Sequence, residues 1–182
     1  SQAVVEFNGM ARDAVFGASP DREVEAWALP TASFQMVRIA GGGIEAHGLG
    51  DCGLWLQDAD GAFISLTPLL GSGAGERAKA RKALEAIGGL SNMGVGVCHP
   101  DVVAGLRLSR AGQNMEGGRI WTLGVNPRAG GNVVTHPIHV RLPALGLLVT
   151  DGLSALVGGY GATTPEQMMS DARQHGFDPI IA

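Results

Sequence analysis

Cysteine is nearly absent from this chain: Cys52 and Cys98 are the only two in 182 residues. They lack Cys-x-x-Cys spacing and are too few for a disulfide framework, which excludes a stapled scaffold and leans toward a reducing compartment. Aromatic residues are 5% and charged residues 16% of the chain, which excludes a disordered polyampholyte and a long coiled coil. Basic charge is also short: 13 Lys and Arg stand against 17 Asp and Glu, for a net charge of −4. No basic stripe compensates, so a nucleic-acid partner is not expected. No apolar stretch reaches the roughly 18 residues of a spanning helix. The opening SQAVVEFNGMARD lacks the basic and apolar regions of a signal peptide. The expectation is a single cytoplasmic domain over residues 1–182, without a membrane partner.

What the chain has in quantity is glycine, 29 residues, within a composition that is 45% hydrophobic. That mix predicts many tight turns around a core of Ala, Val, Leu and Ile. Val4, Phe7, Met10, Ala11, Ala14 and Val15 fall at roughly helical spacing and predict an amphipathic helix over 3–16. A polar connection then runs to Pro30. From Ala32 the period shortens. Strands are expected over 34–39, 44–49, 53–57 and 62–66, with turns at Gly41-Gly42-Gly43 and Asp58-Ala59-Asp60-Gly61, together an antiparallel meander. Helices come next over 76–87, ended by Gly88-Gly89, and over 100–112, opened by Pro100. Strand character returns over 119–123 and 132–140. The apolar run Leu145 to Thr150 predicts a strand buried on both faces. Two helices close the pattern, at 153–157 and from Thr164 to about His175. The order of elements implies an α+β fold, antiparallel sheet covered by helices.

Two segments are built to present chemistry. Leu147-Leu148-Val149-Thr150-Asp151-Gly152 puts a carboxylate at the end of a buried strand, where the strand fixes its direction and Gly152 allows the turn behind it. The competing role for Asp151 is to cap the next helix. Gly48-Leu49-Gly50-Asp51-Cys52-Gly53 lies between two strands, and its competing role is a turn or β-bulge. Carboxylates on neighbouring strands suit a hard divalent cation such as Mg2+ or Mn2+, which can activate water for attack on phosphorus. His136 and His139 fall on opposite faces of their strand, and His47, His99 and His175 show no partner in the sequence. Arg110 and Asn114, one helical turn apart, could face a phosphate together or simply form a solvated face. Ser1 raises the alternative of an N-terminal nucleophile. Gly41-Gly42-Gly43 lacks the Lys-Ser/Thr of a phosphate loop.

Taken in order, these motifs resemble the central and C-terminal part of a bacterial metal-dependent protein phosphatase of the 2C type. Leu29-Pro30-Thr31-Ala32-Ser33 is similar to that family's small-residue entry into its central sheet. Gly50-Asp51-Cys52 resembles its Gly-Asp-Ser strand motif, and Thr150-Asp151-Gly152 its Ser/Thr-Asp-Gly strand end. A helical insertion at about 74–114 leads to Arg110, Asn114, Gly117-Gly118 and Trp121, then Gly124, Asn126-Pro127 and Ala129, and Leu156-Val157 through Tyr160-Gly161 also fits. The likeness spans roughly residues 28–176. It implies a four-layer αββα sandwich of two antiparallel sheets, binding Mg2+ or Mn2+. It also implies hydrolysis of serine or threonine phosphomonoesters on phosphoproteins by metal-activated water. Asp151 would be a metal ligand and Asp51 an accessory one.

The chain departs from the family at both ends. The early bridging Asp-Gly has no counterpart, since the other Asp-Gly, Asp60-Gly61, sits in a hairpin turn. Phe177 to Ala182 contains no final Asp-Asn or Asp-Asp, and Ala155 stands where an acidic residue is frequent. The expectation is therefore an incomplete metal site, inactive in this chain alone, with an exposed sheet edge open to self-association. The alternatives are a non-catalytic phosphatase-like domain that binds a protein partner, and an unrelated sandwich-fold hydrolase using Ser1.

Overall fold

The computed structural model describes all residues except 18, 20–22, 41–42, 67–73, 95–98, 119, 159 and 178–182. Its elements run α1 (Gln2–Phe16), β1 (Thr31–Ala32), β2 (Phe34–Ala40), β3 (Gly43–Leu49), β4 (Gly53–Gln57), β5 (Phe63–Leu66), α2 (Ala74–Ala86) and α3 (Pro100–Ala111). Beyond them lie β6 (Leu123–Gly124), β7 (Val134–Ile138), β8 (Leu145–Val149), α4 (Asp151–Gly158) and α5 (Pro165–His175). The fold is α+β with antiparallel sheets, and no described helix is long and apolar enough to cross a membrane. Two compact units divide the chain: Ser1–Ala32 with Gly71–Asn132, and Ser33–Leu70 with Val133–Ala182.

In the second unit the turn chemistry of the sequence fixes the hairpins. Asp58 Oδ1 accepts from the amides of Asp60 and Ala62, both at 2.9 Å, and Gly61 takes the left-handed φ of 82° that closes the turn into β5. Slight desolvation raises the Asp58 carboxyl, but the amides of Ala62, Arg141 and Asp60 outweigh it and hold the group below its ordinary range. Leu56 pairs with Ile64 across that hairpin, and Val37 with Ala46 across the preceding one. The two hairpins do not form one meander, however. β2, β3 and β7 make one three-stranded sheet, while β5, β4 and β8 make another. Gly50-Asp51-Cys52 is thus a corner between sheets. Of the expected turn at 41–43, the first two residues lie outside the described ones.

The two sheets face each other across Ala46, Leu54, Leu56 and Ile138, with Val37, Ile44, Ile64 and Leu66 around them. On the other face of the second sheet, Trp55 and Val149 pack against Met168 and Met169 of α5 and against Leu153, Leu156 and Val157 of α4. β4 therefore buries both its faces, Leu54 and Leu56 on one and Trp55 on the other. Each such side chain contributes about 1.5–3 kcal/mol of burial. Composition points to β8 as the doubly buried strand, but it lies at a sheet edge and alternates: Val149 is buried while Leu148 is 52% exposed. α5 opens on Pro165, with Thr164 Oγ1 accepting from the Gln167 amide at 3.1 Å.

The first unit is organised by amides. α1 forms where expected, but its buried positions are Val4 and Asn8, while Phe7 and Met10 are 52% and 72% exposed. Asn8 is fully buried because it completes a backbone: its Nδ2 donates to the Asn126 carbonyl at 2.8 Å, and its Oδ1 accepts from the Gly124 amide at 3.0 Å. The strand expected over 119–123 shrinks to β6, paired with β1, and residue 119 lies outside the described ones. The loop before β6 is held instead by Asn114, at φ 57°, whose side chain accepts from the Thr122 amide at 2.7 Å and donates to Thr122 Oγ1 at 2.9 Å. α2 ends at Gly88 and Gly89, both at positive φ. In α3, Arg107 lies over the Trp27 ring, 4.2 Å from its centroid.

Replacing Asn8 removes a bonded amide and leaves the Gly124 N–H buried without a partner. Asn8→Ala is expected to lower unfolding stability by about 2–3 kcal/mol, measured by urea denaturation. Met10→Ala, on the exposed face of the same helix, should change it by less than about 0.5 kcal/mol.

Candidate functional site

The second sheet brings the two singled-out carboxylates to one end. Gly53 opens β4 opposite Val149, the last residue of β8. Because the strands are antiparallel, the chain entering β4 through Asp51-Cys52 and the chain leaving β8 through Thr150-Asp151 emerge side by side. Each aspartate stands two residues beyond that last pair.

Asp51 is held by Ser33. The serine hydroxyl donates to Asp51 Oδ1 at 2.6 Å and accepts from the Asp51 amide at 3.2 Å. This close approach requires Gly50. At φ 81° a side chain is strained, and a Cβ there would fall onto Ser33 Oγ and Cβ. Asp151 begins α4, yet the neighbouring threonine supplies the cap: Thr150 Oγ1 accepts from the Leu153 amide at 3.4 Å, and the Thr150 carbonyl accepts from the Ser154 amide at 3.0 Å. The Asp151 carboxylate accepts no hydrogen bond from the described residues. It is exposed at a helix start, where negative charge is favoured.

Cys52 lies between them as a half-buried free thiol. Burial pushes its pKa up, and the charges of Asp51 and Asp151 push it further. Both carboxylates are therefore close enough to act on one sulfur, which remains a neutral thiol at neutral pH and a poor nucleophile.

The donor types suit a hard cation, but the set is short. Mg2+ demands six oxygens in near-octahedral order, and no three His, Cys, Asp or Glu side chains are grouped to hold a metal among the described residues. The residues present fit such an ion only in part, and water would have to fill most of its shell.

The other candidates have structural partners. Asn114 commits its side chain to Thr122, and its carbonyl accepts from Asn126 Nδ2 at 2.8 Å, so it is not free to face a phosphate. Arg110 Nη2 donates to the Leu29 carbonyl at 3.4 Å. His47 has partners that the linear sequence concealed: Nδ1 lies 3.0 Å from Thr135 Oγ1 across the strand pair. Its Nε2 lies 3.4 Å from Glu45 Oε2, but in a geometry that makes no hydrogen bond, so the contact is electrostatic at most. His99 accepts from the Asp101 amide at 3.3 Å and starts α3. His136 pairs with Ala46, and His139 lies beyond the end of β7. The Ser1 nitrogen donates to the Gly130 carbonyl.

Sequence reasoning missed Ser33 as the partner of Asp51. The glycine before the aspartate marks a position where a close neighbour has room, but nothing in the sequence names Ser33 as that neighbour. Compared with protein-family models, curated proteins and solved structures, the chain finds no match in any of the three.

Two outcomes test this geometry. Gly50→Ala should cost about 1–3 kcal/mol by forcing a Cβ into a left-handed position against Ser33, read as a lower urea midpoint. In a Cys98→Ser background, the pH midpoint of Cys52 alkylation should lie above that of an ordinary thiol and fall toward it in Asp51→Asn with Asp151→Asn. Because the folded thiol binds its proton more tightly than the unfolded one, its contribution to stability is full below the unfolded thiol pKa. That contribution is lost as pH rises through the folded value.

Proposed function

We propose that this chain is a phosphatase-like domain of the 2C type, built on an αββα sandwich. Asp51 and Asp151 give a Mg2+ or Mn2+ ion a weak, water-rich seat, and the chain alone does not turn over phosphoesters. The observation that carries the reading is the antiparallel register of β4 and β8, which brings the segments bearing Asp51 and Asp151 to the same end of one sheet. The ordered motifs, the two facing antiparallel sheets and the helices on the outer face of one of them support it. A cation bound there would supply a polarised water. Ser33 restrains Asp51 by occupying one carboxylate oxygen, leaving the other for a ligand. Asp151 follows the end of β8 and begins α4.

The shortage of grouped ligands among the described residues supports binding over catalysis. The natural ligand is then a phosphoprotein or protein partner engaged without turnover, and the edge strands of the two sheets offer a second surface for self-association. Calorimetric titration with Mn2+ should give a dissociation constant on the order of millimolar or weaker, with the heat lost in Asp151→Ala. Hydrolysis of a phosphopeptide and of p-nitrophenyl phosphate should remain at the uncatalysed rate. Mn2+-dependent turnover abolished by Asp151→Ala would mean a complete catalytic site. Equal heats for the wild type and Asp151→Ala would remove the cation from this end of the sheet.

A further inference from the structure

We infer that the first unit carries a self-docking surface, on which α1 of one copy receives α2 of a second copy. The surface on α1 is an apolar seam that its own unit leaves uncovered. Ala3, Phe7, Met10 and Ala14 recur at intervals of four, three and four residues, the spacing that lines one helix face against another. All four are exposed. Val4 and Asn8 turn the adjoining face of the helix inward, so one edge of the seam is open to a partner. That edge is acidic: Glu6 and Asp13 lie along it, both exposed, while Arg12 falls on the far side of the helix.

α2 carries the matching face. It is basic, with four Arg and Lys to two Glu, in a chain of net charge −4. Gly75, Lys79, Lys82 and Ala86 repeat the same spacing, and all four are exposed. Each face is small at both ends and long in the middle, so pairing them sets Lys79 and Lys82 against Phe7 and Met10. A lysine stem covers apolar surface while its ammonium stays in water, and from there it reaches the edge formed by Glu6 and Asp13. A second α1 is the poorer occupant: laid antiparallel, its acidic edge meets its own like charge. Each copy offers both faces, so a two-fold dimer makes the contact twice. Four side chains on each helix fall well short of the roughly 20–30 residues a side of a standard interface. The association is therefore weak and salt-sensitive. It depends on no cation at Asp51 and Asp151.

Sedimentation equilibrium of the full chain in low salt tests this, with the urea midpoint of every variant checked first. The wild type is expected to self-associate with a dissociation constant on the order of 0.1 mM. Glu6→Lys with Asp13→Lys should weaken it about tenfold, and Lys79→Glu with Lys82→Glu by a similar factor. All four substitutions together should restore it to within about threefold of the wild type. Met10→Ala, on the seam itself, should weaken it about threefold. A monomer at every concentration up to about 1 mM would overturn the proposal. An association indifferent to both charge reversals would place the contact elsewhere, at the sheet edges for example, and would equally overturn it. Weakening by each reversal without recovery in the combination would overturn the pairing of α1 with α2.

Discussion

β4 is the strand on which the second unit depends. It is the central strand of its sheet, and its buried side chains enter both apolar clusters, Leu54 and Leu56 one and Trp55 the other. Leu54 and Leu56 tie the two sheets together, while Trp55 fastens the sheet to α5. A slip of one residue in its pairing would exchange these faces, placing Trp55 between the sheets and turning Leu54 and Leu56 toward the helices. The register is therefore strongly specified by burial. That same register sets Gly53 against Val149 and so delivers Asp51 and Asp151 to one place. The position of the candidate site is a consequence of hydrophobic packing several residues away from it.

The charges at that end are unequally restrained. Asp51 is fixed by a reciprocal pair of bonds with Ser33, possible only because Gly50 has no side chain. Asp151 has no such partner among the described residues and sits where the start of α4 favours a negative charge. Between them the Cys52 thiol is kept protonated, since a thiolate there would face two carboxylates from a half-buried position. The arrangement disfavours nucleophilic chemistry by the sulfur. For the cation proposed at this end, one restrained and one unrestrained carboxylate set a low affinity, because ordering Asp151 and stripping water from Mg2+ both oppose binding.

Much of the fold is legible in the sequence wherever the signal is local. Asp58 to Gly61 specifies its hairpin through one carboxylate and one left-handed glycine, and Thr164-Pro165 specifies the start of α5. What is not legible depends on contacts distant in sequence. Leu145 to Val149 is apolar throughout, so composition marks it as doubly buried. Being at a sheet edge is a property of the partner strands and not of its own residues. Asn8 reads as the polar side of an amphipathic helix, yet it is buried because its amide completes the backbone at Gly124 and Asn126, more than a hundred residues later. The position of Asp51 and Asp151 is legible as motif order, but Ser33 as the partner of Asp51 is not.

In the first unit, polar side chains take the place of a large apolar core. Asn8, Asn114 and Asn126 bond mainly to backbone, and together they shape the loop from Asn114 to Asn126, with no long strand or large apolar cluster among the described residues of this unit. Amides can do this because each carries a donor and an acceptor and so satisfies two backbone groups at once. Such a network tolerates little vacancy, since losing one amide strands its backbone partners in a site shielded from water.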